Sequence, residues 1–304
     1  MQKIVWDMDP GIDDALALIL ALKSPEVEIL GITAVAGNAP VELTSANARR
    51  VLEYLGVSSI PVAQGAEKPL NRKLADARSF HGVDGLGDCG LPPPTTPLHS
   101  QPAPAFLANL ILENPGELVL LATGPLTNLA LAMKLHPGLS QFLKALVFMG
   151  GAYELTPYAK GNQTLFAEFN IWEDPEAAQL VFSQSADLVA VGLDVTQDPS
   201  TWLTREHLEK LSLGPPAAQL AARIIRRTVE RHGHCELHDP LALAAIIWPE
   251  LFEFTSAQVE VITRGPERGR TLLAKREGAD VRIAHKVEGE RFLKLFLSRL
   301  LEGR

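Results

Sequence analysis

The sequence lacks the features that are typical of secreted and membrane proteins. It holds two cysteines in 304 residues, Cys89 and Cys235, and they do not form a CxxC motif. Neither a disulfide framework nor a thioredoxin-like motif can therefore be drawn, so we expect both thiols to be free. The longest strongly apolar stretch, residues 15–22, is far shorter than the roughly 20 residues of a membrane-spanning helix. Because Asp7 precedes any apolar run that could form a signal peptide, we expect a cytoplasmic location.

Positive charge is also scarce. Lys and Arg total 28 against 36 for Asp and Glu, which gives a net charge of −8. No run of Lys and Arg is longer than a pair, so the sequence argues against a nucleic-acid backbone as partner. Hydrophobic residues make up 46% and charged residues 21%, which excludes a disordered or collagen-like chain. We expect residues 1–304 to form a single domain with a sizeable core.

Short strand-like runs alternate with amphipathic helical runs through the first two thirds of the chain. Strands are predicted at residues 3–6, 28–35, 117–122, 145–149 and 188–191. Helices are predicted at residues 13–23, 41–55, 104–113, 126–135 and 175–183. This alternation is typical of βαβ units, so we predict the α/β class with one large, open, mostly parallel sheet flanked by helices.

Two regions interrupt the alternation. Residues 65–104 are rich in Gly and Pro, which predicts a long loop, and loops of this length are usually functional. Residues 204–248 read as mostly helical. Three short strands at 258–263, 271–275 and 281–286 then predict a small antiparallel meander, and a last helix is predicted at 290–301.

Four acidic side chains lie within the eight residues that follow the first strand, namely Asp7, Asp9, Asp13 and Asp14. Like charges at this spacing raise one another's pKa unless a cation relieves them. An oxygen-only cluster suits a hard cation such as Ca²⁺ or Mg²⁺. In the alternative, purely structural interpretation, Asp13 caps the following helix and Asp14 interacts with its dipole. That alternative accounts for one or two of the four acids.

Further polar residues follow the other predicted strands. Asn38 and Thr123 stand at two strand ends, and the ends of parallel strands meet in one crevice. The amides and the carboxylate of Asn162, Glu168 and Asn170 are of the kind that bind sugar hydroxyls. The dipeptide 238–239, His followed by Asp, offers a hard-metal ligand beside a group that titrates near neutral pH.

The order of these motifs resembles a known family. Residues 7–15, DMDPGIDDA, are similar to the DxDPGxDDA signature of the inosine–uridine-preferring nucleoside hydrolases. Seven companion motifs follow in family order: VAGN (35–38), HGVDG (81–85), TGPLTN (123–128), MGG (149–151), AEFN (167–170), DPEAA (174–178) and HDP (238–240). A long signature with ordered companions is far more specific than an isolated DxD.

The resemblance implies hydrolysis of the N-glycosidic bond of ribonucleosides such as inosine, uridine or cytidine. The products are ribose and a free base, and the implied cofactor is Ca²⁺. The implied partners are a small-molecule nucleoside and further copies of the chain, in a tetramer or dimer. The tyrosines that several members carry are absent from residues 223–232, so the sequence leaves the preferred base open.

The resemblance also assigns roles to individual residues. The implied metal ligands are Asp9, Asp14, the backbone carbonyl of Thr123, and Asp239, and Asp9 doubles as the general base that activates water. His238 is the implied proton donor to the leaving base. The remaining implied roles are ribose binding by Asp13, Asn38, Asn162, Glu168 and Asn170, base binding by His81, Met149 and His238, and support of the acidic cluster by Asp7.

Three other interpretations stay open from the sequence. The same fold could serve a non-catalytic, Ca²⁺-dependent nucleoside or sugar binder, although both Asp9 and His238 are retained. A haloacid-dehalogenase-like phosphatase would use the DxD acids, but its later motifs are missing. A zinc site is a third possibility, since residues 232, 234, 235 and 238 are His, His, Cys and His, although their spacing lacks the paired ligands of such sites.

Overall fold

A computed structural model describes residues 1–185, 187–274 and 281–302. The strands in these residues are β1 (Gln2–Met8), β2 (Val27–Ala34), β3 (Val62–Gln64), β4 (Val119–Ala122), β5 (Ala145–Met149), β6 (Leu188–Val191), β7 (Leu203–Thr204), β8 (His234–Cys235), β9 (Phe252–Val261), β10 (Thr271–Ala274) and β11 (Val281–Val287). The helices are α1 (Ile12–Leu22), α2 (Val41–Tyr54), α3 (Arg78–His81), α4 (Ala103–Glu113), α5 (Thr127–Leu135), α6 (Phe169–Glu173), α7 (Pro175–Gln184), α8 (Leu193–Thr196), α9 (Arg205–Ser212), α10 (Pro216–His232), α11 (His238–Ile247) and α12 (Gly289–Leu301).

Nine strands form one sheet in the order β10-β9-β11-β6-β5-β4-β1-β2-β3. Seven neighbouring strands, from β11 to β3, run parallel. The strands β9 and β10 are antiparallel and complete one edge. This arrangement confirms the predicted α/β class with a mostly parallel sheet.

The predicted antiparallel meander is present but belongs to the main sheet. Strand β9 begins at Phe252, six residues before the predicted start at 258, and pairs with β11 along most of its length. Strand β11 also pairs in parallel with β6, which attaches the meander to the sheet edge. The last residue of the predicted strand 271–275 lies outside the described residues.

The core explains why the central strands need helices on both faces. In β1 the side chains of Ile4, Trp6 and Met8 are fully buried on one face, and Val5 is fully buried on the other. Helices α1, α10, α11 and α12 cover the first face, and α4, α5 and α7 cover the second. A strand buried on both faces is characteristic of parallel sheets.

The five predicted helices of the first two thirds match the structure to within one residue at each end. The capping interpretation of the acidic cluster is wrong in detail, because the N-cap of α1 is Gly11. The backbone N–H of Gly11 donates to Asp14 Oδ2 at 3.1 Å, so Asp14 rather than Asp13 satisfies the helix start. The predicted loop 65–104 contains the short helix α3, and strand β3 just before it escaped prediction.

The strand order places a crevice at the end of β1. From β1 the chain proceeds to β2 and β3 on one side and to β4, β5 and β6 on the other. Open parallel sheets bind ligands at such a reversal, outside the carboxyl ends of the strands. No helix among the described residues is both long and apolar enough to span a bilayer.

Candidate active site

A cavity of about 420 Å³ opens at the carboxyl ends of the central strands. Among the described residues its lining includes Asp13, Asn38, His81, Thr123, Met149, Asn162, Glu168, Asn170, His238 and Asp239. The cavity is also lined by residues 75–77 and 79–80 of the long loop, and by Gln163, Phe169 and Glu236. No Lys or Arg belongs to this described lining, so His81 and His238 are the basic side chains that the cavity wall offers to the carboxylates.

Asp9 lies buried beside this cavity. Its Oδ2 accepts a hydrogen bond from the backbone N–H of Asn38 at 2.7 Å, whereas its Oδ1 has no partner among the described residues. A Cβ on Gly37 would lie 2.1 Å from Oδ2, so only glycine permits this approach. Burial and the nearby charge of Asp14 raise the pKa of Asp9 well above its usual range.

Asp14 is held on both carboxylate oxygens. Its Oδ1 accepts from the hydroxyl of Thr123 at 2.8 Å, and its Oδ2 accepts from Gly11 N and from Asn38 Nδ2 at 3.3 Å. Burial and the charge of Asp13 raise the pKa of Asp14 to about 7. Burial and the surrounding acids likewise raise the pKa of Asp239. The crowding that the sequence predicted is therefore present in three dimensions.

The oxygen donors of this acidic cluster fit a hard cation. One carboxylate oxygen from each of Asp13, Asp14 and Asp239 lies within 4.8 Å of the others. Asp9 Oδ1, Asp13 Oδ1 and Asp239 Oδ2 are buried atoms without hydrogen-bond partners in the described part of the chain. The carbonyl of Thr123 accepts from Asn170 Nδ2 at 3.1 Å and has a second lone pair to offer. Oxygen ligands of this kind suit Ca²⁺ or Mg²⁺.

Three of the side chains expected at the ribose, those of Asn162, Glu168 and Asn170, lie along α6 and the segment before it. Glu168 caps α6 and accepts hydrogen bonds from the backbone N–H groups of Gly151, Asn170 and Ile171. Its burial raises its pKa against these bonds. Asn162 differs from Glu168 and Asn170 because its side chain is exposed, and its Oδ1 accepts from Phe169 N at 2.8 Å.

The imidazole of His81 is buried against the start of α1. Its Nδ1 accepts from the backbone N–H of Ile12 at 3.1 Å, which places the proton of the neutral ring on Nε2. Burial lowers the pKa of His81 and, with the charges of His238 and Arg227, outweighs the nearby charge of Asp13, which acts in the opposite direction. His81 therefore presents a neutral imidazole with Nε2 as a donor.

His238 has hydrogen-bond partners at both ring nitrogens. Nδ1 lies 2.8 Å from Thr196 Oγ1, and Nε2 lies 3.0 Å from Glu236 Oε2. Burial lowers the pKa of His238, but the hydrogen bond and charge of Glu236, with the charges of Asp13 and Glu168, outweigh it and raise the pKa to about 9. This ring is a cation at neutral pH.

Asp7 lies behind the acidic cluster. Its Oδ1 accepts from Thr33 Oγ1 at 2.6 Å and from Asn128 Nδ2 at 2.8 Å. Its backbone carbonyl accepts from the N–H of Thr123 at 2.9 Å. Burial raises the pKa of Asp7 to about 7. Asp7 thus braces the segment that follows β4 and does not line the cavity.

The residues of the alternative zinc site do not converge on one point, although His234 and His238 both lie within 4.0 Å of Glu236. His232 stacks on Phe80 and His234 stacks on Trp202, with ring centroids 5.8 and 3.9 Å apart. Cys235 is buried, and burial raises the pKa of its thiol. Among the described residues the only group with three metal-binding atoms within 4.8 Å is Asp13, Asp14 and Asp239, so the geometry gives no support to zinc.

The sequence did not predict roles for two residues with polar groups near the site, Glu236 and Trp6. Glu236 stands two positions before His238, a spacing that places side chains on one side of an extended segment, so the ELHDP run carried a weak signal. Trp6 donates from its indole Nε1 to Thr123 Oγ1 at 2.9 Å. In a run of apolar residues, a tryptophan that only packs cannot be told from one that also donates a hydrogen bond from its indole N–H.

Comparisons with known proteins agree with this geometry. A family profile described as inosine-uridine preferring nucleoside hydrolase matches residues 4–294. The chain is 38% identical to a probable uridine nucleosidase 2 of Arabidopsis thaliana, over 99% of this chain and 98% of the relative. It is 39% identical to the pyrimidine-specific ribonucleoside hydrolase RihA of Citrobacter koseri, over 86% of this chain and 84% of the relative.

A solved structure extends the similarity to the whole fold. The purine-preferring ribonucleoside hydrolase from Gardnerella vaginalis superposes with a TM-score of 0.90 at 31% identity and covers 98% of both chains. The profile match covers nearly the whole chain, and the sequence relatives share more than a third of their residues with it. The chain belongs to the inosine-uridine preferring nucleoside hydrolase family.

Proposed function

We propose that this chain hydrolyses the N-glycosidic bond of ribonucleosides to ribose and a free base. One observation carries the proposal: a single cavity brings together unpartnered carboxylate oxygens of Asp13 and Asp239 and two imidazoles, of which His81 is neutral and His238 is protonated. Glycosidic cleavage needs this combination, because positive charge develops on the sugar while negative charge develops on the leaving base.

The acidic cluster would hold a divalent cation, for which we propose Ca²⁺. The ligands would be the carboxylates of Asp9, Asp14 and Asp239 and the backbone carbonyl of Thr123, all of which offer hard oxygen atoms. When bound, such a cation would orient water and ribose hydroxyls and would make the water more acidic. The support is the set of buried oxygen atoms without partners and the absence of Lys and Arg from the described cavity lining.

Asp9 would act as the general base, since its Oδ1 is free to accept a proton. The water oxygen forms a bond with the anomeric carbon as its proton passes to Asp9. The electron pair of the glycosidic bond leaves with the base, and His238 supplies the proton that the base takes up. His81 would donate a hydrogen bond from Nε2 to the base, beside Met149. General acid–base steps of this kind typically contribute about 10² to 10⁴-fold each.

The ribose would be bound by Asp13, Asn38, Asn162, Glu168 and Asn170. Most of these side chains are buried or partly buried around the cavity. A deoxyribose would leave some of their polar atoms unpaired, which costs much more than a lost apolar contact. We therefore expect ribonucleosides to be strongly preferred over deoxyribonucleosides. Asp7 would support the acidic cluster from outside the cavity.

We also propose a single domain over residues 1–304, a homo-oligomer of two or four copies, and a cytoplasmic location. The first is supported by one sheet that includes both the first strand and the last. The oligomer is supported by the family resemblance, and sedimentation analysis tests it. The location is supported by two free, buried thiols, which suit a reducing compartment.

Release of reducing sugar from inosine, uridine, cytidine and adenosine, without phosphate, tests the proposed reaction. We expect turnover on at least one ribonucleoside, and the rates rank the bases, since the relatives' names include both pyrimidine-specific and purine-preferring enzymes. Binding of nucleosides without turnover would favour the non-catalytic binder instead. Release of phosphate from a generic phosphomonoester would favour the phosphatase.

A further inference from the structure

The indole of Trp6 begins a chain of hydrogen bonds that ends at the acidic cluster. Trp6 lies in β1 and is fully buried. Its Nε1 donates to Thr123 Oγ1 at 2.9 Å, and the same hydroxyl lies 2.8 Å from Asp14 Oδ1. Residues 6 and 123 are 117 positions apart in the chain, so the contact is a product of the pairing of β1 with β4.

The chemistry of the groups fixes the direction of this chain. An indole N–H can only donate, so the oxygen of Thr123 must accept from Trp6. The hydroxyl of Thr123 therefore donates its own proton to Asp14 Oδ1, because a carboxylate oxygen accepts hydrogen bonds. Asp14 Oδ2 already accepts from Gly11 N and Asn38 Nδ2. The carboxylate of Asp14 is therefore held at both oxygens.

Thr123 has two roles in the site, one for its side chain and one for its backbone. Its side chain orients Asp14, and its backbone carbonyl is itself one of the proposed metal ligands. The backbone around that carbonyl is fixed by the bond from Thr123 N to the Asp7 carbonyl and by the bond from Asn170 Nδ2. The hydrogen bond from Trp6 restricts the rotation of the Thr123 hydroxyl, which the backbone contacts leave free.

We propose that Trp6 is a positioning residue for the cation site: its indole N–H orients the Thr123 hydroxyl and, through it, the Asp14 carboxylate. The inference rests on the cation of the proposed function. An apolar residue would fill the same place in the core without supplying a donor. Outer partners that orient metal ligands typically account for 10 to 100-fold in metal affinity, so we expect a loss of about 10-fold when the donor is removed.

Calorimetric titration of the purified, metal-depleted protein with CaCl₂ tests this inference. Trp6→Phe removes the indole donor, and Thr123→Val removes the hydroxyl at nearly constant shape while keeping the backbone carbonyl. We expect each variant to bind Ca²⁺ about 10-fold more weakly. The double variant should be no weaker than Thr123→Val alone, because both changes break the same chain of bonds.

Two matched controls separate positioning from packing. Thr123→Ser keeps a hydroxyl and should restore Ca²⁺ affinity to within about 2-fold of the wild-type value, against the 10-fold loss expected from the orienting partner. Trp248→Phe shortens another buried indole, which packs on Phe292, and should leave the affinity unchanged. If Trp6→Phe does not fold, as judged by circular dichroism, the pair Thr123→Val and Thr123→Ser decides the question.

The outcomes separate this inference from the proposed function. Wild-type Ca²⁺ binding with unchanged affinity in Trp6→Phe and Thr123→Val would overturn the positioning role and leave the hydrolase proposal intact. A wild-type protein that binds no Ca²⁺ while it cleaves nucleosides would overturn both the cation assignment and the role of Trp6.

Discussion

At the scale of single residues, the site is defined by which polar atoms have partners and which do not. Asp14 and Glu168 are held by several donors each, and these bonds fix the orientation of the two carboxylates. Asp9 is held by one oxygen only, and its other oxygen is buried without a partner. A positioned but unsaturated carboxylate is what a general base requires.

Replacing Asp9 with Asn tests that distinction. Asparagine keeps the shape and can still accept from Asn38 N, but it cannot take a proton from water. We expect kcat on the best nucleoside to fall by at least about 10²-fold while the protein stays folded. Glu206→Gln, which removes a surface carboxyl paired with Lys210, is the control and should keep wild-type kcat. An Asp9→Asn variant within a few-fold of wild type would contradict the assignment.

Residue identity and spacing made the acidic cluster predictable, because Asp9, Asp13 and Asp14 are neighbours in the chain. The roles of Trp6 and Glu236 were not predictable in the same way. Trp6 reads as an ordinary core residue, and its donor finds Thr123 only after β1 and β4 pair. Glu236 stands two positions from both His234 and His238, and the spacing alone does not say which of the two it binds.

At the scale of elements, α10 holds the segment that carries His81. Arg227 on α10 donates to the carbonyl of Phe80 at 3.1 Å and lies 3.5 Å from Asp88. The ring of Phe80 stacks on His232 at the end of the same helix. These contacts fasten α3 and the following turn over the cavity without touching the acidic cluster.

We expect Arg227→Ala to raise KM several-fold with little change in kcat. The loss of two contacts loosens α3, and uniform substrate binding weakens while the chemical groups stay in place. Arg226→Ala is a matched control, since Arg226 is the next residue and its nearest acidic partner is Glu230 on its own helix, at 4.0 Å. Steady-state kinetics measure both. Equal KM values in the two variants would show that α10 does not hold this wall.

The end of α6 fixes another part of the long loop. Glu173 is buried and accepts from the backbone N–H of Ala75 at 2.9 Å. Ala75 and the next two residues line the cavity. Burial raises the pKa of Glu173 from 4.5 to about 7, against the hydrogen bond from Ala75. The loop is therefore anchored by a carboxyl group that resists ionisation.

This anchor predicts a pH dependence of stability. Below about pH 4.5 Glu173 is protonated in both states, whereas between about pH 4.5 and 7 its carboxyl group ionises in the unfolded state and stays mostly protonated in the folded state. Wild type therefore loses stability over this window relative to Glu173→Gln, by about 3 kcal/mol at most. Urea unfolding from pH 4.5 to 8 measures the difference, with Glu209→Gln as a surface control. A constant difference between wild type and Glu173→Gln would contradict the prediction.

At the scale of the whole molecule, the alternation of strands and helices made the fold predictable. The limits of the six helices that were predicted with bounds agree within a residue, because Pro, Gly and apolar periodicity mark them locally. The attachment of the meander to the main sheet was not predictable, since the pairing of β11 with β6 joins segments about 90 residues apart. Strand β3 was missed because three residues carry too little periodicity.

A bound cation should stabilise the entire fold, because its proposed ligands come from the ends of β1 and β4 and from α1 and α11. Ca²⁺ at about 1,000 times its Kd would add about 4 kcal/mol to the free energy of unfolding. For a chain of 304 residues, with an unfolding entropy of about 2.1 cal/mol/K per residue, that corresponds to a rise in melting temperature of roughly 6 °C. Thermal melts with a chelator and with excess Ca²⁺ measure it, and Asp14→Asn should show a much smaller shift. Identical melts in both conditions would contradict a Ca²⁺ site.

The central claim is that water is the group that attacks the sugar. Cleavage of a ribonucleoside in ¹⁸O-labelled water, with and without phosphate, followed by mass spectrometry of both products, tests it most directly. We predict that the ribose gains one ¹⁸O atom, that the base gains none, and that phosphate changes neither result. A phosphorylated sugar, or ribose without the label, would contradict hydrolysis at this site.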